Sequence, residues 1–96
     1  MNRENVLRTL AEHKEEIRRL GVKSLAIFGS VSRNEATRES DVDVLVEFSV
    51  PVGLFRFIDV KEYLESILGH KVDLVTPDAL KHQLRPRILK EAVNAI

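Results

Sequence analysis

The 96 residues, 44% hydrophobic and 31% charged, are read as one small folded domain spanning residues 1–96, too short for a catalytic domain beside a separate substrate domain. The absence of cysteine excludes disulfides, a thiol nucleophile and thiolate zinc sites. Fifteen basic residues balance fifteen acidic ones, which argues against a surface given over to gripping a polyanion, so direct nucleic-acid binding is not expected.

In chain order, Val6, Leu7, Leu10, Ile17 and Leu20 recur at helical spacing, and the pattern predicts one amphipathic helix over residues 3–20 with Gly21 as its cap. Val22 to Phe28 is short, apolar and partly β-branched, a buried strand that runs into Gly29-Ser30. A second strand is predicted from Asp41 to Phe48, with Val42, Val44 and Val46 on one face and Asp41, Asp43, Leu45 and Glu47 on the other. After the loop Ser49–Gly53, helical spacing returns at Leu54, Phe57, Ile58, Leu64, Ile67 and Leu68 and stops at Gly69. Lys71 to Val75 alternates as a third strand, with Asp73 and Val75 on one side. Thr76-Pro77-Asp78 reads as a capped helix start, and a last helix is expected from Pro86, burying Ile88, Leu89, Ala92, Val93 and Ile96.

Alternating helices and strands predict an α/β domain, a small sheet with helices packed on it. The short link between the first two strands favours an antiparallel pair and hence a mixed sheet. The longest apolar run, Leu25 to Phe28, is far below the about 20 residues that span a bilayer, and no apolar signal follows Met1–Asn5. A cytoplasmic protein with no membrane contact is expected.

The stretch from Phe28 to Asp43 carries the chemistry. Asp41 and Asp43, two apart on a strand, project from one face about 6–7 Å from each other and repel by roughly 2–3 kcal/mol at an effective dielectric of about 20. Asp73, from another strand, is placed to join them, and three hard oxygen ligands are the set that Mg²⁺ or Mn²⁺ selects. Taken alone, the two aspartates also suit the solvated face of an edge strand. Gly29 at a strand end permits close backbone approach to a ligand, and Ser30 offers a hydroxyl and an N–H at the start of a helical turn, which together make a phosphate seat. Gly-Ser alone is equally an ordinary capped turn.

Gly29-Ser30, ten intervening residues, then Asp41-x-Asp43 and apolar alternation resembles the signature of the DNA polymerase β-like nucleotidyltransferases. The short chain, with Ser32-Arg33 and Glu35-Ala36-Thr37, resembles their minimal nucleotidyltransferase (MNT) group. The resemblance implies a polymerase β-like core, ATP as substrate and two Mg²⁺ ions, with Mn²⁺ as an alternative. By position, it implies that Gly29 and Ser30 hold the β- and γ-phosphates, that Asp41 and Asp43 bind both metals, and that Asp73 binds the catalytic metal and helps activate the acceptor hydroxyl. Arg33 is a candidate phosphate contact. Asn34 stands where many relatives have glycine, a change a left-handed turn tolerates.

Some 20 residues follow Asp73, too few for an acceptor-binding domain, so a partner is expected to supply that surface. In the MNT group the resemblance implies a HEPN-domain toxin, neutralised by AMP added to a tyrosine hydroxyl. Two other readings stand beside it: a non-catalytic antitoxin that acts by complex formation, and a transferase for an aminoglycoside-like small molecule with the acceptor domain in trans. His13, His70 and His82 lack metal spacing and are read as structural or surface residues. Phe28, Phe48, Phe55 and Phe57 are read as core. The basic residues Lys81, Arg85, Arg87 and Lys90 are read as a solvated helix face.

Overall fold

The computed structural model describes residues 2–96 and contains five helices and four strands. The N-terminal helical pattern forms two helices, α1 (Arg3–Glu12) and α2 (Lys14–Arg19), where one was expected. The break has a local cause at His13, whose backbone leaves helical geometry at φ −106° and ψ 16°. Its ring Nδ1 lies 2.8 Å from the Thr9 carbonyl, four residues back, while its own N–H turns to Leu10 O at 3.2 Å. The side chain thus takes the acceptor that the backbone N–H would use in a continuous helix. The apolar stripe survives the break, since Val6, Leu10 and Ile17 are all buried. Gly21 follows with φ +95°, as the predicted cap requires.

β1 (Val22–Phe28) leads into a four-residue turn of helix, α3 (Gly29–Ser32), and β2 (Val42–Phe48) returns antiparallel to β1. α4 (Leu54–Leu68) carries the chain to β3 (Val72–Val75), which pairs parallel to β2. A 3₁₀ turn, Pro77–Ala79, and α5 (Arg85–Glu91) precede β4 (Val93–Asn94), giving the sheet order β3-β2-β1-β4. The mixed sheet is therefore as predicted. Thr76 precedes the 3₁₀ turn with Pro77 in its first position, but the threonine side chain makes no capping hydrogen bond.

The C-terminal segment corrects the sequence reading. The expected helix through Ile96 stops at Glu91; Ala92 is extended at φ −63° and ψ 133°, and Val93 and Asn94 pair with Ile27 and Ala26. The N–H groups of Ala95 and Ile96 both donate to Leu25 O, at 2.8 and 3.3 Å. Backbone groups on the outer edge of β1 find partners this way, which further helix would leave unpaired. Leu89 is 50% exposed, whereas Val93, in β4, and Ile96, just beyond it, pack against the core.

One buried cluster joins Val6, Leu10 and Ile17 to Leu25 and Ile27, to Val42, Val44 and Val46, and to Val60, Leu64, Val72 and Leu74. α1 packs on α4, α2 on β1 and α4 on β3. Each fully buried aliphatic side chain contributes about 1.5–3 kcal/mol. Phe28 is buried, and Phe48 and Phe57 pack at the core's edge with ring centroids 6.4 Å apart. Phe55, expected in the core, is 84% exposed, because α4 turns only the Val60 and Leu64 stripe fully inward. Leu64→Ala is accordingly expected to cost about 2–5 kcal/mol, while Phe55→Ser changes stability by less than about 0.5 kcal/mol; thermal melts of the two variants check the contrast. No helix among the described residues is long and apolar enough to cross a membrane.

Candidate active site

The sheet register assembles the acids. Asp43, the second residue of β2, stands opposite Phe28 of β1 and opposite Asp73 of β3. Paired residues on neighbouring strands share a face, so the Phe28 ring and the two carboxylates lie on one side of the sheet. Asp41 is exposed just before β2, whose first residue is fixed by Val42 N–H donating to Lys71 O at 2.9 Å. On the outer side of β3, Val72 N–H donates to Glu65 Oε2 of α4 at 2.9 Å, which pins the strand one residue before Asp73. Nothing in the sequence pattern marks Glu65, which reads as an ordinary helix-surface acid.

Gly29 brings the turn expected to seat phosphate against these acids. Its φ of +70° is left-handed, and a Cβ placed on it would collide with the Asp43 carboxylate. The Asp43 carboxylate therefore occupies the space that any other side chain at position 29 would need. Ser30 is half-exposed, and its hydroxyl makes no hydrogen bond among the described residues. Ser32 is buried and differs from Ser30, since its Oγ donates back to Gly29 O at 2.8 Å and tightens the turn. The first N–H groups of such a turn have no partner four residues back, which leaves them directed outward. Asn34 adopts φ +60°, as its left-handed tolerance allows, and its Oδ1 accepts from Arg3 N–H at 3.2 Å. Arg3 Nη1 also donates to Ser32 O at 3.2 Å, so the start of α1 is tied to the turn.

Burial pushes the Asp43 carboxyl up to about 6, aided by the Asp73 and Asp41 charges and by a hydrogen bond with Asp73, while Arg33 acts in the opposite direction. Arg33 donates from Nε to Glu35 at 3.2 Å and from Nη1 to Glu91 at 2.5 Å, and both carboxylates hold its proton more firmly. Thus Gly29, Ser30, Arg33, Asp41, Asp43 and Asp73 share one end of the sheet. Glu35 and Glu91 join them as partners of Arg33, and the separation of 58 positions between Arg33 and Glu91 leaves that pairing invisible in the sequence. Of the basic C-terminal residues, Lys81, Arg87 and Lys90 are exposed, as expected, whereas Arg85 is half-buried and donates from Nη2 to Pro77 O at 3.1 Å.

Among the described residues no three His, Cys, Asp or Glu side chains form a ready-made metal cage. The donor set still suits Mg²⁺, which is held by one or two carboxylates together with substrate phosphates rather than by an all-protein cage. The like charges that raise Asp43 are the ones a divalent cation would neutralise. A separate groove of about 790 Å³, lined by residues including Phe48, Val50, Leu54 and Thr76, lies at the other end of β2 and contains none of these acids.

Residues 10–95 match the nucleotidyltransferase domain family. The chain belongs to this family. It is 44% identical over 91 residues to the protein adenylyltransferase MntA of Thermococcus cleftensis, an alignment covering 94% of this chain and 92% of that one. It is 39% identical over 83 residues to a candidate protein adenylyltransferase of Methanocaldococcus jannaschii, over 85% of each chain. Among solved structures, a candidate minimal nucleotidyltransferase superposes with a TM-score of 0.81 at 37% identity, covering 97% of this chain and 95% of that one. The same fold recurs in a toxin–antitoxin complex with AMP-PNP, at a TM-score of 0.71 and 20% identity over all of this chain and 73% of that one. It recurs again in a tri-AMPylated Shewanella oneidensis HEPN toxin complexed with an MNT antitoxin, at a TM-score of 0.66 and 17% identity over 94% and 71% of the two chains.

Proposed function

We propose that this nucleotidyltransferase moves AMP from ATP to a tyrosine hydroxyl of a HEPN-domain toxin and so acts as that toxin's antitoxin. One observation carries the reading: the Asp43 carboxylate fills the space over Gly29 and faces Asp73 across the parallel pair, so the phosphate-seat turn and the acids form one site. The relatives named as protein adenylyltransferases support AMP as the transferred group, and the toxin–antitoxin complexes of like fold support the acceptor.

In the proposed reaction, the Ser30 hydroxyl and the outward N–H groups of the turn hold the β- and γ-phosphates, and Arg33 adds a positive charge. Asp41, Asp43 and Asp73 would hold two Mg²⁺ ions, or Mn²⁺, which when bound neutralise charge on the attacking and leaving oxygens. The tyrosine oxygen bonds to the α-phosphorus, and the bond from that phosphorus to the oxygen bridging to the β-phosphate breaks. The electron pair leaves with pyrophosphate, and the phenolic proton passes to the Asp73 carboxylate and on to water. Asp73 suits this role because it is exposed at the start of β3, open to an incoming acceptor.

The test incubates the purified HEPN toxin with this protein, ATP and Mg²⁺ and measures intact mass, followed by peptide mapping. The expected result is one or more added AMP groups on tyrosine and loss of toxin activity. An unmodified toxin, or toxin neutralised equally without ATP, overturns the proposal.

A further inference from the structure

Arg33 leaves the phosphate-seat turn at its C-terminal end with two of its five N–H donors engaged by Glu35 and Glu91. Glu35 is a near neighbour in the chain. Glu91 is the last residue of α5, where local chemistry disfavours an acid, since a helix C-terminus carries partial negative charge. Its side chain is only 20% exposed, against 43% for that of Arg33, so the carboxylate has also given up much of its water. A partly desolvated acid at the unfavourable end of a helix requires a compensating partner, and Arg33 is that partner.

Glu91 is also the better anchored of the two. Ala92 N–H closes on Ile88 O at 2.9 Å, and the following residue, Val93, pairs with Ile27, two residues before Gly29. α5 packs directly on α3. The backbone that carries Glu91 is thus held by the sheet edge on one side and the helix on the other, while Arg33 stands on the turn that faces the acids. With Nε and Nη1 held, the plane of the guanidinium is set and its remaining N–H groups are left to meet an anion.

We infer that Glu91 is a positioning residue, holding Arg33 so that the free edge of its guanidinium meets the triphosphate, with the Arg33–Glu91 pair kept in the bound complex. The inference rests on the Gly29 turn being the phosphate seat. Its physical benefit is preorganisation: an arginine side chain ordered before binding loses little rotamer freedom when the nucleotide arrives.

A double-mutant cycle tests it, with calorimetric binding of Mg²⁺ and AMP-PNP and with KM and kcat for AMP transfer. Glu91→Ala is expected to weaken AMP-PNP binding and to raise KM for ATP about 5–10-fold, with kcat within about two-fold. Glu91→Gln, which keeps an acceptor oxygen, recovers part of the loss. In an Arg33→Ala background, Glu91→Ala is expected to change binding less than about two-fold. An equal effect of Glu91→Ala in both backgrounds overturns the inference, because it assigns Glu91 a merely structural role. Tighter binding by Glu91→Ala also overturns it, since Glu91 would then be restraining Arg33 from the nucleotide. Should Glu91→Ala fail to fold, Glu91→Gln carries the same cycle. If wild-type protein binds no AMP-PNP, the proposed function itself fails; if wild type binds and Glu91→Ala binds equally well, only this inference fails.

Discussion

Gly29→Ala is expected to destabilise the protein by about 2–4 kcal/mol, combining the cost of a left-handed conformation at an L-residue with overpacking against Asp43. For a domain of this size that loss lowers the melting temperature by more than about 8 °C. The two contributions separate in a second variant. The new methyl meets Asp43 Cγ at 3.1 Å and Cβ at 3.4 Å as well as a carboxylate oxygen. Asp43→Ala removes Cγ and the oxygens and leaves only an ordinary contact with Cβ. Gly29→Ala with Asp43→Ala is therefore expected to regain about 1–3 kcal/mol of the single variant's loss, the overpacking share, and to retain only the conformational cost. Paired melts of the four proteins check this, and simple additivity of the two substitutions would show that Gly29 and Asp43 do not meet.

Asp43→Asn is expected to stabilise the metal-free protein while removing its activity. The folded carboxyl titrates at about 6 against an ordinary 3.8, so the folded state holds this proton more tightly than the unfolded chain does. Below the unfolded value both states are protonated and Asp43 costs nothing. As pH rises from about 4 to about 6 the unfolded chain releases the proton first, and the folded state loses stability until both are ionised. That interval corresponds to about 3 kcal/mol, which solvent screening of a half-buried group reduces to about 1–2 kcal/mol. At pH 7 without metal, Asp43→Asn is thus expected to melt about 4–8 °C or more above wild type, with the difference vanishing near pH 4. Adding Mg²⁺ and AMP-PNP should raise the melting temperature of the wild type and leave the variant behind. Losing one carboxylate of the proposed metal-binding set would remove several kcal/mol of charge stabilisation, so AMP transfer should fall about a thousand-fold. Stability and activity are then opposed at one residue, as expected where a site holds like charges together for its substrate.

Much of this architecture is legible in the sequence because it is encoded locally. Alternation from Val42 to Phe48 and from Val72 to Val75 puts Asp43 and Asp73 on definite strand faces, and Gly29-Ser30 marks the end of β1. What alternation does not contain is register between strands, so the pairing of Asp43 with Asp73 emerges only in the assembled sheet. β4 is illegible for a stronger reason: Val93 suits a helix as well as a strand, and only the open edge of β1, more than 60 residues earlier, decides between them. Phe55 misleads in another way. Leu54, Phe55, Phe57 and Ile58 give α4 a broad apolar start, and the position of Val60 and Leu64 against the sheet determines which of them turns outward. His13 breaks the first helix through a side-chain contact to its own helix backbone, which hydrophobic spacing does not register. The Arg33–Glu91 pair depends on the β4 placement, since the pairing of Val93 with Ile27 sets where the last residue of α5 meets the turn.

The claim that the Gly29 turn and the three aspartates form a nucleotidyl-transfer centre is tested most directly by following the phosphates of ATP. Wild type and Asp43→Asn are each incubated with HEPN toxin, Mg²⁺ and ATP labelled at either the α- or the γ-phosphate. The expected result is α-label on the toxin and γ-label in released pyrophosphate for wild type, with neither for Asp43→Asn. Transfer of γ-label to the toxin, or α-label transfer undiminished by Asp43→Asn, would contradict the account.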